Sequence, residues 1–197
     1  MSSYMVLSRV SEELRRILWE AYNADPVVQP IVGSEAAIVF SNPTETARDS
    51  ANRLSIWLYQ ITENEFLKNQ PMQRTNGPTT TQDMPLALNL HYLITPFAAT
   101  PEADHRLLGL TLQTLYDNAI TPLRRPVEDI SEELRVIFCR MSLEELTRVW
   151  EALREPYRLS IAYTVRVTRI DSRRVPQRAR VLEANNEYGS VPEAVGE

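Results

Sequence analysis

Apolar residues recur along this chain in two rhythms. Leu7, Val10, Leu14, Ile17, Leu18 and Ala21 fall three or four residues apart, with Arg9, Glu12, Glu13, Arg15, Arg16 and Glu20 filling the other side. That spacing predicts an amphipathic helix lying on an apolar layer, ended by Asn23, Asp25 and Pro26. Elsewhere the period is two. Leu86, Leu88, Leu90, Tyr92 and Ile94 face away from Asn89, His91 and Thr95, as in a strand with one buried face. Leu159, Ile161, Tyr163, Val165 and Val167 alternate with Arg158, Ser160, Thr164, Arg166 and Thr168, which predicts a second such strand.

Shorter signals fill the spaces between. Residues 36–40 form an apolar run stopped by Asn42-Pro43, a candidate strand or edge element. Residues 53–62 are rich in β-branched and aromatic side chains and predict a buried strand. Thr100, Pro101 and Glu102 supply an N-cap, a proline at the first helical position and an early acid. The helix they start is expected to reach about Ala119, with Leu108, Leu112, Leu115 and Ala119 inward, and to stop at Thr121-Pro122. Residues 134–140 are expected to be a strand, because Val136, Ile137 and Phe138 are poor helix formers. Ser142 and Glu145 then form a capping box, and Met141 and Leu146 occupy the positions of a hydrophobic staple. Leu143, Leu146, Val149, Trp150 and Leu153 make that helix's expected buried stripe, ended by Pro156.

Two segments lack either rhythm. Residues 63–84 contain Pro71 and Asn76-Gly77-Pro78 and read as a long functional or mobile loop. After Asp171 the pattern dissolves into arginines and an acidic tail, with residues 180–187 a candidate last strand and the final ten residues expected to be disordered. The expectation is one α+β domain over residues 1–171, with a mainly antiparallel sheet of four to five strands covered by about three helices. Residues 172–197 are expected to be an extended arm and flexible C-terminal tail.

Composition narrows the function. The chain has 197 residues, 43% of them apolar and 24% charged, as in ordinary globular domains. A net charge of −5 without a basic stripe disfavours nucleic acid as partner. Cys139 is the single cysteine, so neither an intrachain disulfide nor a cysteine-based zinc site can form. No apolar run is long enough to span a membrane, and the first residues lack the layout of a signal peptide. A cytoplasmic protein is expected.

Candidate chemistry is sparse. His91 lies on the polar face of a strand. His105 lies in a helical first turn beside Asp104, but adjacent helical residues point apart, and no second spacing supports a metal site. Cys139, between Phe138 and Arg140, reads as a small buried hydrophobe. The five glycines are too scattered for a phosphate cradle, and the pairs Glu12-Glu13, Glu132-Glu133 and Glu144-Glu145 suit helix dipoles. We therefore expect no enzyme, cofactor or metal. Arg166, Arg169, Arg173, Arg174, Arg178 and Arg180 form the one arginine-dense segment; contact with an acidic protein neighbour explains it better than phosphate binding.

Three segments carry a resemblance. They are residues 54–69, beginning Leu54-Ser55-Ile56-Trp57 and ending Leu67-Lys68-Asn69; residues 85–95 followed by Leu107, Leu108, Gly109 and Leu115; and residues 141–153 followed by Pro156, Tyr157 and Arg158 through Tyr163. In this order, spanning about residues 7–170, they resemble the cap or tail-terminator proteins of phage-tail-like contractile injection systems. The resemblance implies a tail-terminator-like fold and a homohexameric ring on the baseplate-distal end of an inner tube. It also implies tube and sheath proteins as partners, and it transfers no catalytic residue. The residues expected to make such contacts are Glu65, Phe66 and Arg74 in the long loop and Arg173, Arg174 and Arg178 in the tail. A neck or completion protein of a true phage tail, a soluble assembly adaptor, and a small enzyme built on His91 or His105 stay open as alternatives.

Overall fold

A computed structural model of the chain describes residues 4–64, 86–123 and 132–170. Its centre is a six-stranded sheet in the order β1-β2-β3-β6-β5-β4. The strands are β1 (Ile38–Val39), β2 (Leu54–Glu63), β3 (Leu86–Pro96), β4 (Ile120–Leu123), β5 (Glu132–Cys139) and β6 (Ile161–Ile170). Only β1 and β2 run parallel; the other neighbours are antiparallel. The expected α+β class and mainly antiparallel sheet are therefore found, with more strands than expected. The additional strand is β4, where Thr121-Pro122 had predicted only a helix stop. Pro122 is tolerated there because β4 lies at the sheet edge, where a missing N–H breaks no interior ladder.

Two long helices, α1 (Val6–Ala24) and α4 (Pro101–Asp117), lie on one face of the sheet. Val10, Leu14, Leu18 and Tyr22 of α1 join Leu107 and Leu115 of α4 in the main core. Leu54, Ile56, Leu90, Tyr92, Ile94 and Val165 supply the sheet's share. The stripe of α4 differs from expectation: Leu112 is 37% exposed, Ala119 lies beyond the helix, and Leu107, Leu108, Thr111, Thr114 and Leu115 face inward. A polar contact explains the threonine. Thr111 donates its hydroxyl to the Leu107 carbonyl at 2.7 Å, so the Tyr22 hydroxyl donates to Thr111 Oγ1 at 2.6 Å, locking α1 to α4 with no unsatisfied group.

The other face carries α5 (Leu143–Leu153), which begins with the expected capping box. Trp150 packs on Leu93 and Ala162, surrounded by Leu146, Val149, Leu153, Met141, Trp57, Tyr59 and Cys139. Leu143 does not join them and is 66% exposed. Met141, just before the cap, fills the sheet-facing place that Leu143 was expected to take. Because α5 covers this end, β3 is buried on both faces from Tyr92 to Pro96, not on one as its alternation predicted.

β2 is likewise less buried than expected. β1 pairs only with Leu54 and Ser55, so the rest of β2 is an edge, and its burial fades after Ile56. A register shift between Leu58 and Gln60 leaves Tyr59 as a bulge residue. Asn42 does more than stop an apolar run: its side chain accepts from the Glu45 amide at 2.8 Å and caps α3 (Pro43–Thr46). The remaining short helix, α2 (Gln29–Val32), ends at Gly33, whose φ of 78° suits glycine.

Candidate interaction surface

Glu65, Phe66, Arg74, Arg173, Arg174 and Arg178, the residues expected to touch partners, lie outside the described residues. The register nevertheless locates the strand ends that lead to them. Glu63 pairs with Leu88 and Leu86 with Ile170, so β2 ends, β3 begins and β6 ends at the same end of the sheet. Leu123 pairs with Glu132 at that end too, where β4 gives way to β5. This is the end that α5 does not reach.

On the face that carries α5, the half that no described helix covers carries rows of side chains set by the register. One row runs Thr62, Asn89, Arg166, Arg135 and Ile120 across β2, β3, β6, β5 and β4. The next runs Gln60, His91, Thr164 and Ile137. Arg135, Arg166, Gln60, Ile120 and Ile137 are exposed. Asn64 donates its amide to Asn89 Oδ1 at 3.2 Å, tying the β2 end to β3.

His91 sits in this polar field as a clamp. Its Nε2 lies 2.9 Å from Thr62 Oγ1 and its Nδ1 lies 3.1 Å from Thr164 Oγ1. A neutral imidazole needs one donor and one acceptor, and a hydroxyl can serve as either. Burial lowers the His91 pKa below its ordinary value, so the neutral ring is the form held here. Beside it, burial first, and then the fields of Cys139 and Glu145, raise the Tyr59 pKa. The hydroxyls of Thr62 and Thr164 make His91 a three-strand tie between β2, β3 and β6.

The other candidate residues do not converge. His105 is exposed on α4. Its neighbour Asp104 accepts from the Ala98 amide at 2.7 Å and from the Arg158 guanidinium at 3.1 Å, which fastens the approach to β6 onto the start of α4. Cys139 is half-buried against the Trp150 cluster. Among the described residues no group of three His, Cys, Asp or Glu side chains lies together. A groove of about 290 Å³ runs between α3 and the end of α5, lined by Pro43, Phe97, Trp150, Tyr157 and Arg158. The Arg158 guanidinium stacks over the Phe97 ring at 4.5 Å within it.

The sequence placed Arg166 both on the polar side of a strand and in the arginine-dense segment; the structure has it on β6, inside the sheet. Arg135 was not singled out at all. Each is one unremarkable polar position on a strand, and only the register brings them together.

This arrangement, with two helices on one face of the sheet and one on the other, is the fold of a tube terminator of contractile injection systems. The structure is similar to that of a PVC sheath/tube terminator from an extracellular contractile injection system in its extended state. That match has a TM-score of 0.59 and 20% identity over 100% of this chain and 67% of the other. The tube-terminating cap of the anti-feeding prophage (AFP) gives a TM-score of 0.45 and 17% identity over 68% of this chain and 48% of that one. No curated protein matches the sequence. The chain belongs to the Pvc16 N-terminal domain family, whose pattern matches residues 9–184. The expected kinship with injection-system caps is thereby borne out. No described helix is long and apolar enough to cross a membrane.

Proposed function

We propose that this chain is a structural cap that closes the baseplate-distal end of the inner tube and sheath of a contractile injection system, as a hexameric ring. The family match over residues 9–184 carries the reading, and the likeness of fold to a sheath/tube terminator agrees with it. Its partners are then other copies of itself, the tube protein and the sheath protein, and it works by binding alone, without catalysis. It is made in the cytoplasm and acts as part of the assembled particle. Residues 1–171 form the capping domain, and residues 172–197 are an arm that reaches a neighbour, with Arg173, Arg174 and Arg178 as its contact residues. Glu65, Phe66 and Arg74 serve the same purpose in the long loop.

The physical case rests on polymer growth. Heterologous interfaces that do not close produce open filaments with no intrinsic stop, whereas those that close produce rings. A ring presenting one complementary face and one inert face ends growth. Deleting the gene is expected to give overlong or uneven tubes and sheaths that detach or contract early in electron micrographs. Mass spectrometry of purified particles should find about six copies of the chain, the number a single closed six-fold ring requires. Uniform particles of normal length from the deletion strain, with no copy of the chain in wild-type particles, would make it an assembly adaptor instead.

A further inference from the structure

Arg135 and Arg166 are direct cross-strand partners on β5 and β6, and both are exposed. Directly opposed side chains on antiparallel strands have Cβ atoms about 4.5–5.5 Å apart, and like charges so placed repel. Arg15 meets Glu35, Arg16 meets Glu13 and Glu20, Arg148 meets Glu144, and Arg158 meets Asp104. Arg48, Arg106, Arg140 and Arg154 are exposed without an ion pair among the described residues, so what sets Arg135 and Arg166 apart is their direct opposition. No described carboxylate pairs with Arg135 or Arg166, and neither makes a hydrogen bond to a described side chain. The repulsion is thus left in place on the half of the sheet that α5 leaves bare, with the amide of Asn89 next in the row and the apolar Ile120 and Ile137 beside it. Two guanidinium forks at this spacing fit a pair of carboxylates, which would turn mutual repulsion into charge-assisted hydrogen bonds.

We propose that the Arg135–Arg166 face docks a carboxylate-bearing surface of a second copy of this chain. The chain holds 26 acidic residues against 21 basic ones, so a neighbouring copy offers the complementary charge. The same acidity argues against a nucleic-acid backbone as occupant. The inference rests on the ring-forming cap reading and names the surface through which copies meet.

The test uses the scarcity of lysine: Lys68 is the only one in the sequence. The variants Arg135→Lys and Arg166→Lys keep the charge and introduce an amine that a zero-length carbodiimide joins to a touching carboxylate. Particles carrying each variant are purified and cross-linked, and the joined peptides are identified by mass spectrometry. The expected product links position 135 or 166 to an Asp or Glu of this same chain, in particles but not in the dilute monomer. A link to a tube or sheath peptide, or no link at either position in particles that contain the chain, overturns the proposal. The double variant R135E/R166E is expected to enter particles at least tenfold less while melting at an unchanged temperature; normal incorporation would refute the contact. If the unaltered chain is itself missing from particles, the cap reading falls first and this contact falls with it. A nucleic-acid occupant would show instead as nuclease-sensitive incorporation, which also overturns it.

Discussion

Replacing Trp150 with alanine should be the most damaging single change on the α5 face. The indole is 3% exposed and fills the space between α5 and the sheet, against Leu93 and Ala162, which are 0% and 3% exposed. Three losses combine. The cavity left by a buried Trp typically costs about 3–5 kcal/mol, because the surroundings collapse only in part. The indole N–H bond to Ser160 Oγ, 3.3 Å long, disappears and leaves a buried hydroxyl without that partner. The edge contact with Tyr157, at 6.3 Å between ring centroids, is lost as well. For a chain of this length about 1 kcal/mol shifts the melting temperature by roughly 2–4 °C. A drop on the order of 6–20 °C is therefore expected in calorimetry, with a matching loss in urea titration. Leu143→Ala, seven residues earlier on the same helix but 66% exposed, is the control and should move the midpoint by about 2 °C or less. Equal shifts for the two variants would show that α5 does not pack through Trp150.

Tyr22→Phe should cost about 0.5–1.5 kcal/mol, since it removes a buried hydrogen bond to Thr111 while Thr111 keeps its bond to the Leu107 carbonyl; an unchanged urea midpoint would count against the α1–α4 lock. Ser142→Ala should cost about 0.5–2 kcal/mol through loss of the cap on the Glu145 amide, and Ser142→Gly only a few tenths, so a larger loss for glycine would contradict the capping account. Acidification should weaken the fold through His91. Its folded pKa lies below the ordinary 6.5, so the unfolded chain takes up a proton first, and stability falls as pH drops from about 6.5 toward the folded value. His91→Gln should flatten that part of the stability curve, and identical pH profiles for the two proteins would rule the contribution out.

The long elements could be read from the sequence because their signals were local. The period of α1, the capping box at Ser142 and the alternation of β3 and β6 each lie within a few residues of chain. What escaped depended on partners distant in sequence. Thr111 faces inward because Tyr22, 89 residues earlier, is there to meet it. Leu93 is buried because a helix some fifty residues later covers it. β2 loses its burial after Ile56 because β1 stops after two residues. The candidate surface shows the same division. Charge density drew attention to the arginine-rich arm, whereas the opposition of Arg135 and Arg166 exists only once β5 and β6 are in register.

The partial reach of α5 gives the sheet unequal walls. Near Leu93 and Ala162 the strands are enclosed from both sides, so their amides exchange with solvent only when the whole fold opens. Near Asn89 and Arg166 no described helix forms the second wall, and the same two central strands can breathe there at lower free energy. A single sheet thus has a stiff end and a compliant end. The stiffness missing at the compliant end is supplied when something settles against it, so binding there would register along the strands as slower amide exchange rather than as a change of shape.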